Sequence, residues 1–127
     1  MKKTMTKLIF TMAALLCFTL CGTSNACVAQ AATSTKTIYF QDGTPEKWIS
    51  NDAAIIELVD NTNGHDSYIM TKVSDTEWRV TVPATATNIT FNRWNSDHTT
   101  LWNSWSTGPQ DGKNTYVAVS SSYGYWE

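Results

Sequence analysis

From Lys36 to Trp126 the chain never holds a helical repeat for three turns; what recurs is a short run with period two or β-branched enrichment, closed by turn residues. Seven runs follow one another: "KTIYF" (36–40), "AAIIELV" (53–59), "DSYIMTKV" (66–73), "EWRVTV" (77–82), "NITFNRW" (88–94), "NTYVAV" (114–119) and "YGYW" (123–126). Between them stand Asn63-Gly64, which supplies the positive φ angles of a hairpin, Ser74-Asp75, Pro83, which cannot donate to a ladder, and Asp111-Gly112. A chain that reverses this often closes a core by laying sheet on sheet. The expected fold is all-β, an antiparallel β-sandwich of about seven short strands.

Alternation also assigns sides. In "EWRVTV", Trp78, Val80 and Val82 share the face opposite Glu77, Arg79 and Thr81, which makes Trp78 a core residue. In "NITFNRW", Ile89 and Phe91 face inward, leaving Asn88, Thr90, Asn92 and Trp94 on the outer, polar side. Trp126 is placed with the core.

The N-terminal 31 residues carry a different pattern. Lys2, Lys3 and Lys7 precede the apolar run "LIFTMAALLCFTL" (8–20), and "AQA" ends at Ala31, the arrangement of a secretory signal peptide cleaved there. The apolar run is short of the roughly 20 residues that a membrane-spanning helix requires. A lipoprotein signal ending at Cys21 or Cys27 is disfavoured by bulky Leu20 before the first and by Ser24 upstream of the second. The expectation is a secreted protein whose residues 32–127 form one β-sandwich domain.

All three cysteines fall within the signal, so this domain rests on its own core and not on disulfides. Six of the nine Lys and Arg follow residue 31, with all eleven Asp and Glu, an excess of five negative charges. Without a cluster of Lys and Arg, nucleic acid and anionic membrane surfaces are poor partners. All six Trp and all five Tyr do lie in this part.

Catalytic and metal chemistry finds little purchase. Neither His65 nor His98 stands in a nucleophile–base context, there is no G-x-S-x-G elbow, and no Cys remains as a nucleophile. "DNTNGHD" (60–66) resembles a calcium loop until its register is tried: with Gly64 at the sixth position, the first ligand falls on Val59 and the twelfth on Met70. Asp97-His98 reads as a solvated loop pair. No pair among the acids stands out for glycoside hydrolysis. No enzyme activity, metal or cofactor is expected.

What remains is "FNRWNSDHTTLWNSWST" (91–107), three Trp among amides and hydroxyls. A pyranose ring has a face of C–H groups and a rim of hydroxyls, so an indole covers the face while amides satisfy the rim, and Trp brings that area at little entropic cost. The expected site is Trp94, Trp102 and Trp105 as stacking surfaces, with Asn92, Asn95 and Asn103 as hydroxyl partners and Trp48 as a further member.

Two stretches resemble a known family. "TIYFQDGTPEKWIS" (37–50) is similar to the opening of family-26 starch-binding modules, with its I-Y-F strand and following Trp. "MTKVSDTEWRVTVPATATNITFN" (70–92) is similar to their later Met-Thr, hairpin, Trp strand ending in Pro, and apolar strand leading to F-N. The resemblance implies a β-sandwich that binds α-glucan without cleaving it. The family's platform tyrosines have no counterpart in "AAIIELV", and "HDSYI" replaces its Trp-Pro-Gly, so a platform here would draw on Trp48 or on residues 91–107. The resulting expectation is a secreted, non-catalytic carbohydrate-binding module for α-glucan chains. The alternative is a secreted protein-interaction module, adhesin-like or inhibitory, using the same Trp patch as a hot spot for a protein partner at the cell surface.

Overall fold

The computed structural model describes residues 31–50, 54–110 and 112–127. The residues assigned to the signal peptide, with Cys21 and Cys27, lie outside that range apart from Ala31; so do Ala53 of the second expected strand and Asp111 of the last expected turn. Among the described residues no helix is long and apolar enough to cross a membrane.

Among the described residues nine strands form: β1 (Thr35–Asp42), β2 (Ile55–Asp60), β3 (Asp66–Ile69), β4 (Thr71–Lys72), β5 (Glu77–Pro83), β6 (Asn88–Trp94), β7 (Leu101–Pro109), β8 (Thr115–Ala118) and β9 (Gly124–Trp126). They make a five-stranded sheet in the order β4-β5-β1-β8-β9 and a four-stranded sheet in the order β3-β2-β6-β7. Every pairing is antiparallel except β1 with β8. This is the all-β sandwich expected, with two more strands and one parallel pair.

Alternation builds the core as the pattern in β1, β5 and β6 requires. Ile38 and Phe40 of β1, Trp78 and Val82 of β5, and Tyr116 and Ala118 of β8 face Ile56 and Leu58 of β2, Ile89 and Phe91 of β6, and Trp105 of β7. Phe40 joins the sheets, its ring 5.1 Å from Phe91 and 5.2 Å from Trp105. Tyr116 stacks on Phe91 at 5.1 Å, and burial pushes its phenol up to about 12, with Tyr123 adding to the shift. Each such side chain removed from water contributes about 1.5 to 3 kcal/mol, which a domain of this size without disulfides needs. Gly124 is required where β9 crosses Tyr116: a Cβ there would sit 2.5 Å from the Val117 carbonyl oxygen and 2.6 Å from the phenol.

Three expectations are corrected. "DSYIMTKV" is not one strand, because Met70 is buried and its N–H reaches the Ile56 carbonyl at 2.8 Å; the chain bends there, leaving β3 in one sheet and β4 in the other. Asn63-Gly64 does not make a two-residue hairpin: the β2–β3 connection runs over residues 61–65, with Gly64 at φ 102° and His65 at φ 66°. Asp60 holds this tip, accepting from the backbone N–H of Thr62 at 2.9 Å and the Asn63 amide at 2.6 Å. The third correction is β7. None of the seven expected strands covers residues 101–109, yet they form the longest strand among the described residues.

Register places the connections that matter together. Asp42 ends β1 beside Ala118 at the end of β8, and Ile55 opens β2 opposite Trp94 at the end of β6. The β1–β2, β6–β7 and β8–β9 connections therefore gather at one end of the sandwich.

Candidate functional site

At that end Arg93 organises the aromatic residues. Alternation carries it to the inner side of β6, beyond Phe91, where it is only 6% exposed. A buried guanidinium requires compensation. Its Cζ lies 4.5 Å from the Trp48 ring centroid and 4.7 Å from that of Trp102, and NH1 donates to Asn103 Oδ1 at 3.0 Å. Desolvated contacts of this kind are each worth up to about 2 kcal/mol.

A bulge makes the arrangement possible. Arg93 pairs with Asn103 and Trp94 with Leu101, so Trp102 is an extra residue on β7. Strict alternation would put its ring on the outer face with Ser104. The bulge turns it over Arg93 instead, leaving it 44% exposed.

Trp48 comes from the β1–β2 connection, which Asp42 fixes. Fully buried, this carboxylate accepts from the backbone N–H and hydroxyl of Thr44 on one oxygen and from those of Ser50, at 2.9 and 2.6 Å, on the other. Burial alone would push its carboxyl up; the four bonds from Ser50 and Thr44 together outweigh it and hold the group below its ordinary value. Ile49, fully buried, plugs the same turn into the core. Trp48 is thus delivered half-buried to Arg93.

Trp94 has other company. On the outer face its Nε1 donates to Glu57 Oε2 at 2.8 Å, the oxygen that also takes the Asn92 amide at 3.1 Å. His98, at φ 56°, packs its ring edge-on to Trp94 with centroids 4.6 Å apart, and its Nε2 lies 3.7 Å from Glu57 Oε1. Glu57 is consequently 7% exposed although it stands on an outer face. Polar surroundings for this Trp serve a folded network.

The three expected stacking surfaces, Trp94, Trp102 and Trp105, meet different fates. Trp105 is corrected to a core residue: it is 1% exposed, with Nε1 donating to the Ser120 carbonyl at 3.0 Å, so it offers no stacking face. The amides are engaged within the protein. Asn95 Oδ1 accepts from the N–H of Thr99 and Thr100 and its Nδ2 donates to Thr99 Oγ1, closing the β6–β7 turn. Asn92 bridges Ser104 to Glu57, and Asn103 bridges Arg93 to the Ser121 carbonyl at 3.3 Å. The accessible aromatic surface at this end comprises Tyr123 of the β8–β9 connection, 62% exposed, Trp102, half-buried Trp48 and half-buried Trp94, with Leu101, 46% exposed, preceding Trp102 in β7.

Sequence reasoning missed Arg93 as the hub. Its signal was present in the alternation of "NITFNRW", which carries the position inward after Phe91. Among the described residues no group of three or more His, Cys, Asp or Glu could hold a metal ion. Compared with known protein families and with curated protein sequences, the chain matches none.

Proposed function

We propose that the protein is a secreted, non-catalytic carbohydrate-binding module that takes an α-glucan chain across Trp102 and Trp48. The observation that carries this reading is the exposed Trp102 ring, held by a buried guanidinium that also holds Trp48. Two large, stiff, half-wet aromatic surfaces at one loop-built end of a sandwich suit a ligand with an apolar face and hydroxyl edges. The likeness of residues 37–50 and 70–92 to starch-binding modules of family 26 supports the sandwich fold more than the ligand, since the family's platform tyrosines have no counterpart in this chain. A surface of one or two stacked rings gives about 4 to 7 kcal/mol net, a dissociation constant of order 10 to 1000 μM.

A protein ligand is the second reading. It is favoured by the engagement of Asn92, Asn95 and Asn103 inside the fold, because an exposed Trp surface with few open amides resembles a protein hot spot. Retention of residues 32–127 on granular starch, with cellulose and chitin as controls, separates the two. The expected result is retention on starch that Trp102→Ala abolishes while the fold is kept. No retention on any glycan would turn the surface over to a protein partner.

A further inference from the structure

Away from the Trp end, the outer face of the five-stranded sheet carries a trough. One concavity of about 380 Å³ is lined by Thr37, Tyr39, Thr71, Arg79, Val80 and Thr81. A second, of about 310 Å³, shares Thr37 and Tyr39 and continues to Lys36, Gln110, Lys113 and Asn114. The register explains the shared floor: Thr71 pairs with Arg79, Arg79 with Tyr39 and Tyr39 with Thr115, a row of side chains crossing β4, β5, β1 and β8 on one face. Thr37 and Thr81 form the neighbouring row. The trough thus runs across the strands with Tyr39 at its middle.

Two features distinguish it from an ordinary solvated sheet face. Arg79, Lys36 and Lys113 line it, half of the six cations that follow residue 31 in a chain with eleven acids, and none of its described lining residues is a carboxylate. Its polar groups are also open. The Arg79 guanidinium and the hydroxyls of Thr37, Tyr39, Thr71 and Thr81 have no hydrogen-bond or ion-pair partner among the described residues, whereas the amides around the Trp segment are engaged. Glu77, two residues along β5 on the same side, makes no ion pair with Arg79 among the described residues. Lys113 donates to the Trp126 carbonyl at 2.9 Å, which leaves its ammonium further donors, whereas Lys36 donates to the Gln110 amide oxygen at 2.7 Å and its charge is partly balanced by Asp60, so Arg79 and Lys113 are the cations open to a ligand.

The geometry points to a second saccharide site in this trough, for an acidic polysaccharide carrying uronic acid residues. Charge complementarity selects the ligand: a planar guanidinium on one side of Tyr39 and the Lys113 ammonium on the other match carboxylates repeated along a chain. Threonine and tyrosine hydroxyls meet the sugar hydroxyls between them. The rows of the outer face bring no aliphatic side chain to the trough, since Val80 of the lining lies on the inward side of β5 against the core, so an acidic peptide would find nowhere to bury an anchor. The site is independent of the Trp102 surface and does not need that surface to bind glucan.

The test titrates residues 32–127 with an oligogalacturonate at 20 and 150 mM salt, following amide shifts and heat. The expected result is shifts confined to residues of the trough, weaker binding at the higher salt, and a loss of about tenfold or more in Arg79→Gln/Lys113→Gln, corresponding to about 1.4 kcal/mol. Trp102→Ala should leave this binding intact, and maltoheptaose binding should survive Arg79→Gln/Lys113→Gln. Equal affinity of the parent and Arg79→Gln/Lys113→Gln for oligogalacturonate, or shifts elsewhere on the molecule, would overturn the proposal. Poly-L-glutamate binding as tightly as oligogalacturonate would overturn the saccharide assignment. A parent that binds oligogalacturonate in the trough but not maltoheptaose would count against the Trp102 surface and support the trough.

Discussion

Arg93 carries a positive charge to a position where strand alternation places core side chains, and the two indoles and Asn103 are among the groups that compensate it there. The dependence runs both ways: without a flat cation, Trp102 has nothing to lie against at the bulge. Lysine keeps the charge but concentrates it in a compact ammonium that covers neither ring. Arg93→Lys is therefore expected to lower stability by about 1 to 2 kcal/mol in urea unfolding and to weaken glucan binding several-fold. An unchanged unfolding midpoint would show that stacking on the guanidinium contributes nothing.

At the level of elements, Asp42 ties the described part of the β1–β2 connection through both of its carboxylate oxygens. Asp42 has its folded value depressed, so the stability it contributes is present above its unfolded value of about 3.9 and is lost as pH falls through the folded one. Asp42→Asn keeps the shape but turns an NH2 toward donors on Thr44 or Ser50. It should cost about 1 to 3 kcal/mol at neutral pH and flatten the acid limb of the stability profile below about pH 4, as measured by thermal melts from pH 2 to 7. An acid limb identical to the parent's would remove Asp42 from its role as anchor of Trp48. The strands were legible where alternation is regular: β1, β5 and β6 follow their sequence patterns, and Trp78 is core as its neighbours Val80 and Val82 require. The strand β7 was not legible, because the bulge at Trp102 breaks period two and places Trp102 and Trp105 three apart on one strand with unlike fates. The same bulge hid the site. Asn92, Asn95 and Asn103 are polar in sequence whether they face a ligand or close a turn, and only the fold shows which donors they meet. Asp42 gave no signal beyond being an acid at the end of an apolar run.

On the scale of the whole molecule, two sheets pack around a core of aromatic rings, and at one end the β1–β2 connection displays Trp48 while the bulge at the start of β7 displays Trp102. A binding surface supported by packed strands needs little reordering on contact, which is what allows a small patch to bind at all. Six Trp give six indole N–H resonances, and their environments differ: Trp105 and Trp94 have theirs bonded inside the fold, and Trp78 is buried. The measurement that tests the central claim most directly is an NMR titration of ¹⁵N-labelled residues 32–127 with maltoheptaose, read at those six signals. Shifts of the Trp102 and Trp48 indoles, with Trp78 and Trp105 unmoved, are the predicted result. Saturating maltoheptaose that leaves the Trp102 indole in place would contradict it.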